Sequence, residues 1–391
     1  MHRLQVYMLC CCTFLYISCK QPARIPDSTY EYLQADYEQV KIIPTKDSIH
    51  FPLTEDTYSK VSAFNIFKAN NREYISFYDH RSGFLNIYDL QSNKQTNRIS
   101  LKKFFTKSLS YNLSPYMVNF DSIFVISEKA LYLIDSAGKK VNKFNYRSSP
   151  AYAIPKFDNI SPPILRNNHF YAAVGPYADG SSLKAVKNWR LVYDFDLLKN
   201  ETKLLYTYPE RYTSHLYGPL FLKQSHCVNE KGNFVFSFPA DTCIYETDLN
   251  ELHKAYYAKS RYQTVDIQPV AAESLKRASL IQRDYMTRNF YSSIFYDPYT
   301  QRYLRIAYSA LTEADYDAKK LARKITIIIF DKDFRIIGES EMPIEVSFKT
   351  LFIAPGGNIY ARTDVGDEYA LDFIRLAYVE NSNNGKIAHV K

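Results

Sequence analysis

FNIFKANNREYISFY, residues 64–78, holds two apolar-rich stretches on either side of the turn sequence Asn70-Asn71. Runs of Phe, Tyr and Ile around such a turn predict a β-hairpin, because Asn accepts the backbone dihedrals of tight turns. Five further segments share the pattern: MVNFDSIFVIS (117–127), ILRNNHFYAAV (164–174), HCVNEKGNFVFSF (226–238), SIFYDPYTQRYLRIAY (293–308) and TLFIAPGGNIYAR (350–362). The sequence therefore predicts a repeat array rather than a row of unrelated domains.

The spacing of the hairpins indicates what each repeat contains. Their second strands begin near Tyr74, Phe124, Phe170, Phe234, Tyr303 and Ile359, which suits a four-stranded unit with variable insertions. A third strand that ends at an acidic residue follows each of the first five hairpins, at Asp89, Asp135, Asp196, Asp248 and Asp331. We interpret these residues as turn formers, because each lies in a different unit and a bound cation needs its oxygens around one point.

The two ends of the repeat array complement each other. The sixth unit has a third strand, YALDFIRLAY, but no fourth, whereas YEQVKII (37–43) stands alone before the first unit. Pairing these two segments closes a ring and leaves no long sheet edge to recruit other chains. We therefore predict an all-β fold, a six-bladed β-propeller over residues 37–391 that is monomeric, with seven blades as the alternative.

Two insertions show helical periodicity. Residues 268–288 place Ala271, Leu275, Ala278, Ile281 and Tyr285 on one face. Residues 311–324 begin at Thr312, a helix-capping residue with Asp315 three positions later. We predict two short helices packed against the ring, with a mobile lid as the alternative.

The N-terminus predicts export. A basic start is followed by an apolar stretch, Leu4–Ile17, and then by Ser18 and Cys19. A helix of that length spans about 21 Å, less than the hydrocarbon core of about 30 Å that a transmembrane helix must cross. The pattern is typical of a lipoprotein signal peptide (1–18) with lipid on Cys19 and a polar tether (19–36). No acidic run follows Cys19, so we expect an outer-membrane lipoprotein that faces the periplasm; the cell surface is the alternative.

Two stretches carry a family resemblance. GFLNIYDLQSNK (83–94) and FDSIFVISEKALYLIDSAGKKV (120–141), together with the lipoprotein start, resemble a family of propeller lipoproteins found mainly in Bacteroidetes and described as domain of unknown function 4221. The resemblance implies a propeller fold and an envelope location. It brings no established activity and no site residues.

Composition and the absence of known motifs argue against several classes of function. The net charge of +8 is spread between aromatic residues rather than gathered in a block, which argues against nucleic-acid binding. The sequence has no HExxH, no phosphate-binding loop, no GxSxG and no CxxC, so we expect no cofactor, no metal and no recognisable catalytic residue. Whether Cys227 and Cys243 form a disulfide stays open.

Loop lengths predict where ligands bind. In a propeller, the second-to-third-strand loops and the links between blades share one face, and here every long insertion falls in those two classes. We call this the loop-rich face, and the opposite one the short-turn face. Loops on a rigid scaffold concentrate binding residues. Candidate ligand-binding residues are His80, Arg81, Arg211, His215, Arg283, Arg288 and Asp367.

The leading hypothesis is a non-enzymatic envelope lipoprotein whose loop-rich face binds a protein or a polar or anionic ligand, such as a glycan or peptide. The alternative is a propeller hydrolase or lyase that acts on an envelope or glycan substrate, with residues drawn from several blades.

Overall fold

A computed structural model describes residues 28–104, 113–127, 130–146, 153–175, 179–363 and 369–381. Two strands precede the first repeat: β1 (Thr29–Glu31) and β2 (Val40–Pro52). Six antiparallel sheets follow from the hairpin repeats, one for each predicted unit. The predicted six-bladed propeller is confirmed, and the seven-bladed alternative does not apply.

The first three blades are built as follows. Blade 1 contains β3 (Ser62–Ala69), β4 (Arg72–Asp79), β5 (Phe84–Asp89) and β6 (Gln95–Ser100). Blade 2 contains β7 (Ser114–Asn119), β8 (Ser122–Ile126), β9 (Ala130–Ile134) and β10 (Lys140–Asn145). Blade 3 contains β11 (Pro155–Lys156), β12 (Ile164–Arg166), β13 (His169–Val174), β14 (Val192–Asp196) and β15 (Glu201–Leu205).

The last three blades complete the ring. Blade 4 contains β16 (Ser225–Val228), β17 (Phe234–Ser237), β18 (Cys243–Thr247) and β19 (His253–Tyr257). Blade 5 contains β20 (Phe290–Asp297), β21 (Arg302–Tyr308), β22 (Ile325–Phe330) and β23 (Ile336–Met342). Blade 6 contains β24 (Val346–Ile353), β25 (Ile359–Thr363) and β26 (Ala370–Glu380), and β2 is its fourth strand.

The closing strand is longer than the predicted segment 37–43. β2 pairs with β26 in antiparallel register from Val40 opposite Glu380 to Pro52 opposite Ala370. Val40 and Ile42 are fully buried in this strand. The N-terminal strand therefore closes the ring as predicted, through backbone hydrogen bonds that cover the outer edge of β26.

The chain before β2 also pairs with the ring. β1 runs parallel to β19 on the outer edge of blade 4, within the stretch predicted as a polar tether. Asp36 then donates its N–H to the Ile336 carbonyl (2.9 Å), and Glu339 donates to the Tyr37 carbonyl (3.1 Å), both on blade 5. Residues 28–52, here named the rim segment, thus join blades 4, 5 and 6 along their outer edges.

Blade 3 has an interrupted inner strand. β11 and β12 both pair with β13, and residues 157–163 leave the sheet between them. Pro162 and Pro163 lack the N–H that a strand must donate, which explains why pairing stops there. We name residues 157–163 the channel segment.

The channel segment reaches across the ring. The Asn159 side-chain oxygen accepts the Phe64 N–H of blade 1 (2.7 Å). The Ile160 carbonyl accepts the His226 N–H of blade 4 (3.0 Å). Blades 1 and 4 are opposite in a six-membered ring, so the segment crosses the central channel.

The five third-strand aspartates are turn formers, as predicted. Their side-chain oxygens accept backbone N–H groups two to four residues on, from Gln91 and Ser92, Lys139, Leu198 and Lys199, Asn250 and Leu252, and Asp333 and Arg335. Each turn is stabilised within its own blade.

The helices lie in the insertions. They are α1 (Leu183–Asn188), α2 (Glu210–Ser214), α3 (Ala278–Met286) and α4 (Glu313–Asp317), with 3₁₀ turns at Lys102–Phe104, Pro219–Phe221 and Ala272–Lys276. The predicted helix at 268–288 is shorter and is preceded by a 3₁₀ turn, whereas α1 and α2 are too short for sequence periodicity to indicate. The Thr312 hydroxyl accepts the Asp315 N–H (3.0 Å), which confirms the predicted cap.

Cys227 and Cys243 are free thiols on two strands of blade 4 that are separated by β17. The structure therefore answers the open question of their pairing. In the part of the chain that the structure describes, no helix is long and apolar enough to cross a membrane.

Candidate functional site

A cavity of about 690 Å³ opens at the centre of the loop-rich face. We name it the central cavity. The starts of the inner strands β3 and β20 form its walls, together with the blade links, α3 and the loop before β22. Its lining is Val61, Ser62, Ala63, Phe64, Asp158, Asn159, Ile160, Pro219, Leu220, Lys223, Pro239, Gln282, Tyr285, Met286, Phe290, Tyr291, Ser292, Tyr308, Arg323 and Thr350.

The channel segment separates this cavity from a second one. Asp158 and Asn159 line the central cavity and also a smaller cavity of about 220 Å³. The smaller cavity also contacts residues 351–353, which lie toward the short-turn end of inner strand β24. The central cavity is therefore a pocket with a floor rather than the mouth of an open channel.

Most of the lining is apolar or aromatic, and one ion pair lies on the floor. Lys223 Nζ is 2.7 Å from Asp158 Oδ2. Burial alone raises the pKa of Asp158, but Lys223, Lys156 and the Ile160 N–H lower it by more, so the pKa lies below its ordinary value. Asp158 is therefore a carboxylate whose charge Lys223 balances.

Arg323 is the other cation in the lining, and only 8% of it is exposed. It donates from Nε to the Ser309 carbonyl (2.7 Å), from Nη1 to the Tyr285 carbonyl (3.0 Å) and from Nη2 to the Arg288 carbonyl. Its guanidinium lies 4.6 Å from the Phe290 ring centroid. Burial lowers the pKa of Arg323 to about 10, which leaves it charged at pH 7.

The two predicted arginines in the long link between blades 4 and 5 make intramolecular contacts. Arg283 on α3 pairs with Asp317 (2.7 Å) and Glu313 of α4. Arg288 donates to the Tyr217 carbonyl (2.6 Å) and the Gln268 carbonyl (2.7 Å). These contacts fix α3 at the edge of the central cavity. Neither arginine is among the residues that line it.

Arg211 and His215 share a separate site. They line a cleft of about 510 Å³ together with Glu210, Ser214, Tyr217, Asp266, Ile267, Gln268 and Pro269. We name it the outer cleft. Arg211 donates to the Ile267 carbonyl (2.8 Å) and lies 5.5 Å from the Tyr217 ring centroid, whereas His215 is exposed. The structure thus brings together these two predicted residues away from the central cavity.

His80 and Arg81 lie between β4 and β5 on the loop-rich face. Both pack on Tyr58: Arg81 is 5.4 Å from its ring centroid, and His80 meets it edge to face at 6.4 Å. Burial lowers the pKa of His80, and nearby Asp79 opposes that shift. His80 and Arg81 line none of the three cavities. Asp367 and Cys19 lie outside the described residues.

Sequence reasoning missed Lys223, Arg323 and the floor residue Asp158. Each lies in or beside a loop of the predicted loop-rich face, and that location is the one feature of the sequence that could have indicated them. Nothing in the local sequence distinguishes these residues from other charged loop residues. Across the described ranges, no group of three or more His, Cys, Asp or Glu is placed to hold a metal ion.

Two solved structures from Bacteroides species are similar to this chain in fold. A member of the DUF4221 family from Bacteroides vulgatus is similar in structure, with a TM-score of 0.73 and 20% identity over 88% of this chain and 100% of that chain. A protein from Bacteroides fragilis is similar at a TM-score of 0.51 and 12% identity, over 90% of this chain and 99% of that chain.

Sequence comparison identifies the family. No curated protein matches the chain. The family model described as domain of unknown function (DUF4221) matches residues 39–341, which include the five blades that follow the closing strand. The resemblance seen in the sequence is thereby confirmed, and the chain belongs to the DUF4221 family.

Proposed function

We propose that the protein is an outer-membrane lipoprotein, held by lipid on Cys19, whose central cavity binds a small ligand with an apolar body in the periplasm. The observation that carries the binding proposal is the central cavity itself. Its volume of about 690 Å³ falls in the range of small-molecule sites. Its lining offers aromatic and aliphatic surface with few polar groups, as ligand sites usually do.

Two titratable groups of the central cavity already have protein partners. Asp158 is paired with Lys223, and the Tyr291 hydroxyl accepts the Ser260 N–H (3.1 Å). A general acid or base needs a proton-transfer position open to substrate. Because Asp158 and Tyr291 are already hydrogen-bonded within the protein, the cavity is better suited to binding a ligand than to acid–base catalysis.

Rigid support also favours a binding site. α3 supplies Gln282, Tyr285 and Met286 to the lining, and it is held by the Arg283 ion pairs to α4. The Tyr285 and Arg288 carbonyls at its end are bonded to Arg323. A preformed cavity avoids ordering costs when the ligand binds.

The anchor is tested by Cys19→Ala. Lipid supplies membrane affinity in this proposal, so the variant should leave the membrane fraction and appear in the soluble envelope fraction. Retention in the membrane after a high-salt wash would contradict the lipid anchor. Protease added to intact cells should leave the wild-type propeller undigested, and rapid digestion would place it at the cell surface.

Binding is tested with N-phenyl-1-naphthylamine, a neutral apolar dye that fluoresces when it leaves water. The full chain carrying Cys19→Ala should bind one dye molecule. Ser292→Phe, which fills the cavity, and Leu220→Asp, which charges its lining, should each weaken binding at least tenfold.

Leu198→Asp is the matched control for Leu220→Asp. Leu198 is 78% exposed in the turn between β14 and β15 on the short-turn face. Its substitution should leave dye affinity unchanged. Absence of dye binding, or equal effects of Leu198→Asp and Leu220→Asp, would refute the central cavity as the binding site.

A further inference from the structure

Arg323 has hydrogen-bonding capacity that the protein does not use. A guanidinium carries five N–H donors. Three hydrogen bonds, all to carbonyl oxygens, are formed within the described residues. One N–H on each terminal nitrogen is therefore left over, on a side chain that lines the central cavity.

The charge of the lining is also unbalanced. Asp158, Lys223 and Arg323 are the charged residues among those that line the central cavity. Asp158 and Lys223 neutralise each other at 2.7 Å, whereas none of the three acceptors of Arg323 is a carboxylate. The lining therefore carries one net positive charge, at a side chain with only 8% exposure.

Such a cation favours an anion. A buried charge without a counter-ion is costly, because water no longer solvates it fully and no opposite charge replaces the water. An anionic group in the cavity would supply that counter-charge, and hydrogen bonds between an arginine and an oxyanion are among the strongest in proteins. The aromatic rings of Phe290 and Tyr285, at 4.6 and 5.9 Å, hold the guanidinium from the protein side.

We propose that the ligand of the central cavity is an amphipathic organic anion, with an apolar body against the aromatic lining and one oxyanion group paired with Arg323. This inference rests on the proposed function and adds the charge of the ligand to it. Lys223 contributes less to anion binding than Arg323, because the Asp158 carboxylate already neutralises the charge of Lys223.

Arg323 also has a structural role, and the two roles predict different results. As a link between the loop before β22 and the end of α3, Arg323 would affect stability and all ligands alike. As an anion-binding residue, it would affect charged ligands selectively. The ratio of two affinities separates these roles, because a general loosening of the cavity cancels in the ratio.

Two dyes with one ring system provide that ratio. 1-Anilinonaphthalene-8-sulfonate is N-phenyl-1-naphthylamine with an added sulfonate. The Cys19→Ala chain should bind the sulfonate dye at least tenfold more tightly than the neutral dye. Arg323→Met should bring the ratio of affinities to within about threefold of one.

Arg283→Met is the matched control. It removes one arginine from the same face, but Arg283 lies outside the cavity lining and is paired with α4. The affinity ratio should stay as in the parent chain. The anion proposal would be overturned if the parent chain bound both dyes equally well, or if Arg323→Met left the ratio of affinities unchanged. In either case, binding of the neutral dye by the parent chain would still support the proposed function.

Competition on the parent chain keeps the test independent of whether Arg323→Met folds. Dodecanoate and dodecanol share one alkyl chain and differ in charge. Dodecanoate should displace the neutral dye at a concentration at least tenfold below that of dodecanol. Equal displacement would overturn the proposal, and failure of the parent chain to bind the neutral dye would instead refute the proposed function.

Discussion

Two segments outside the repeat pattern hold this propeller together, and they do so by different means. The rim segment runs around the outside and adds backbone to the outer edges of blades 4, 5 and 6. The channel segment runs through the middle and joins blades 1 and 4 by isolated hydrogen bonds. One segment continues β-sheets, and the other fills the space between them.

The difference shows how closure and function divide between the two segments. Covering the edge of a sheet takes a continuous strand, because unpaired N–H and carbonyl groups recur along the whole length of that edge. A channel lined by inner strands needs only a few contacts to be blocked. The channel segment can therefore also form the floor of the central cavity. The rim segment serves only to pair with the outer strands of the blades.

The strongest test removes the start of the closing strand. Deletion of residues 37–43 should lower the free energy of unfolding by about 5 kcal/mol or more, because two buried aliphatic side chains and their strand pairing are lost. Deletion of residues 28–32 removes only the exposed strand β1 and should cost about 1 kcal/mol. Denaturant titration measures both, and equal midpoints would contradict closure by β2.

A pH titration tests how the channel segment is held. The His226 imidazole is buried on blade 4 and donates from Nε2 to the Pro162 carbonyl (2.9 Å). Nδ1 is also buried and has no hydrogen-bond partner among the described residues. Burial lowers the pKa of His226 to about 4, so the ring is neutral in the folded state at pH 7.

The sign of the pH effect follows from this lowered pKa. The unfolded chain takes up the proton near pH 6.5, whereas the folded chain resists it until about pH 4. Stability is therefore full above pH 6.5 and falls as the pH drops, by about 3 kcal/mol at pH 4. His226→Gln should reduce this acid sensitivity when unfolding is followed from pH 7 to 4. An unchanged pH profile would show that His226 is not the responsible group.

Gly338 tests the packing of the rim segment on blade 5. A Cβ atom at this position would lie 1.9 Å from the Val40 carbonyl oxygen, which is backbone and has little room to move. Gly338→Ala should therefore cost about 2 kcal/mol. Glu341→Ala, at an exposed position of the same strand, should change stability by less than about 0.5 kcal/mol. Similar melting temperatures for the two variants would indicate that the rim segment lies farther from β23.

The sequence alone determined the architecture. Six hairpins, five aspartate turns and a fourth strand missing from the last unit were enough to predict the ring and its closure. The physical reason is that strands and turns are encoded locally, in runs of aromatic and β-branched residues and in turn-forming Asn, Asp and Gly. Loop lengths then identified the loop-rich face, because strand order alone decides which loops share a face.

Only the tertiary structure decided which side chains meet. Arg283 and Arg288 are as basic as Arg323 in sequence, yet the first contacts α4 and the second holds backbone carbonyls. Arg323 lines the central cavity with Lys223 and Asp158, which come from other blades and links. The tertiary structure also decided that residues 157–163 cross the central channel. Contacts such as Asp158–Lys223 and Phe64–Asn159, 65 and 95 positions apart in the chain, depend on how the ring closes and packs. No local pattern in the chain carries that information.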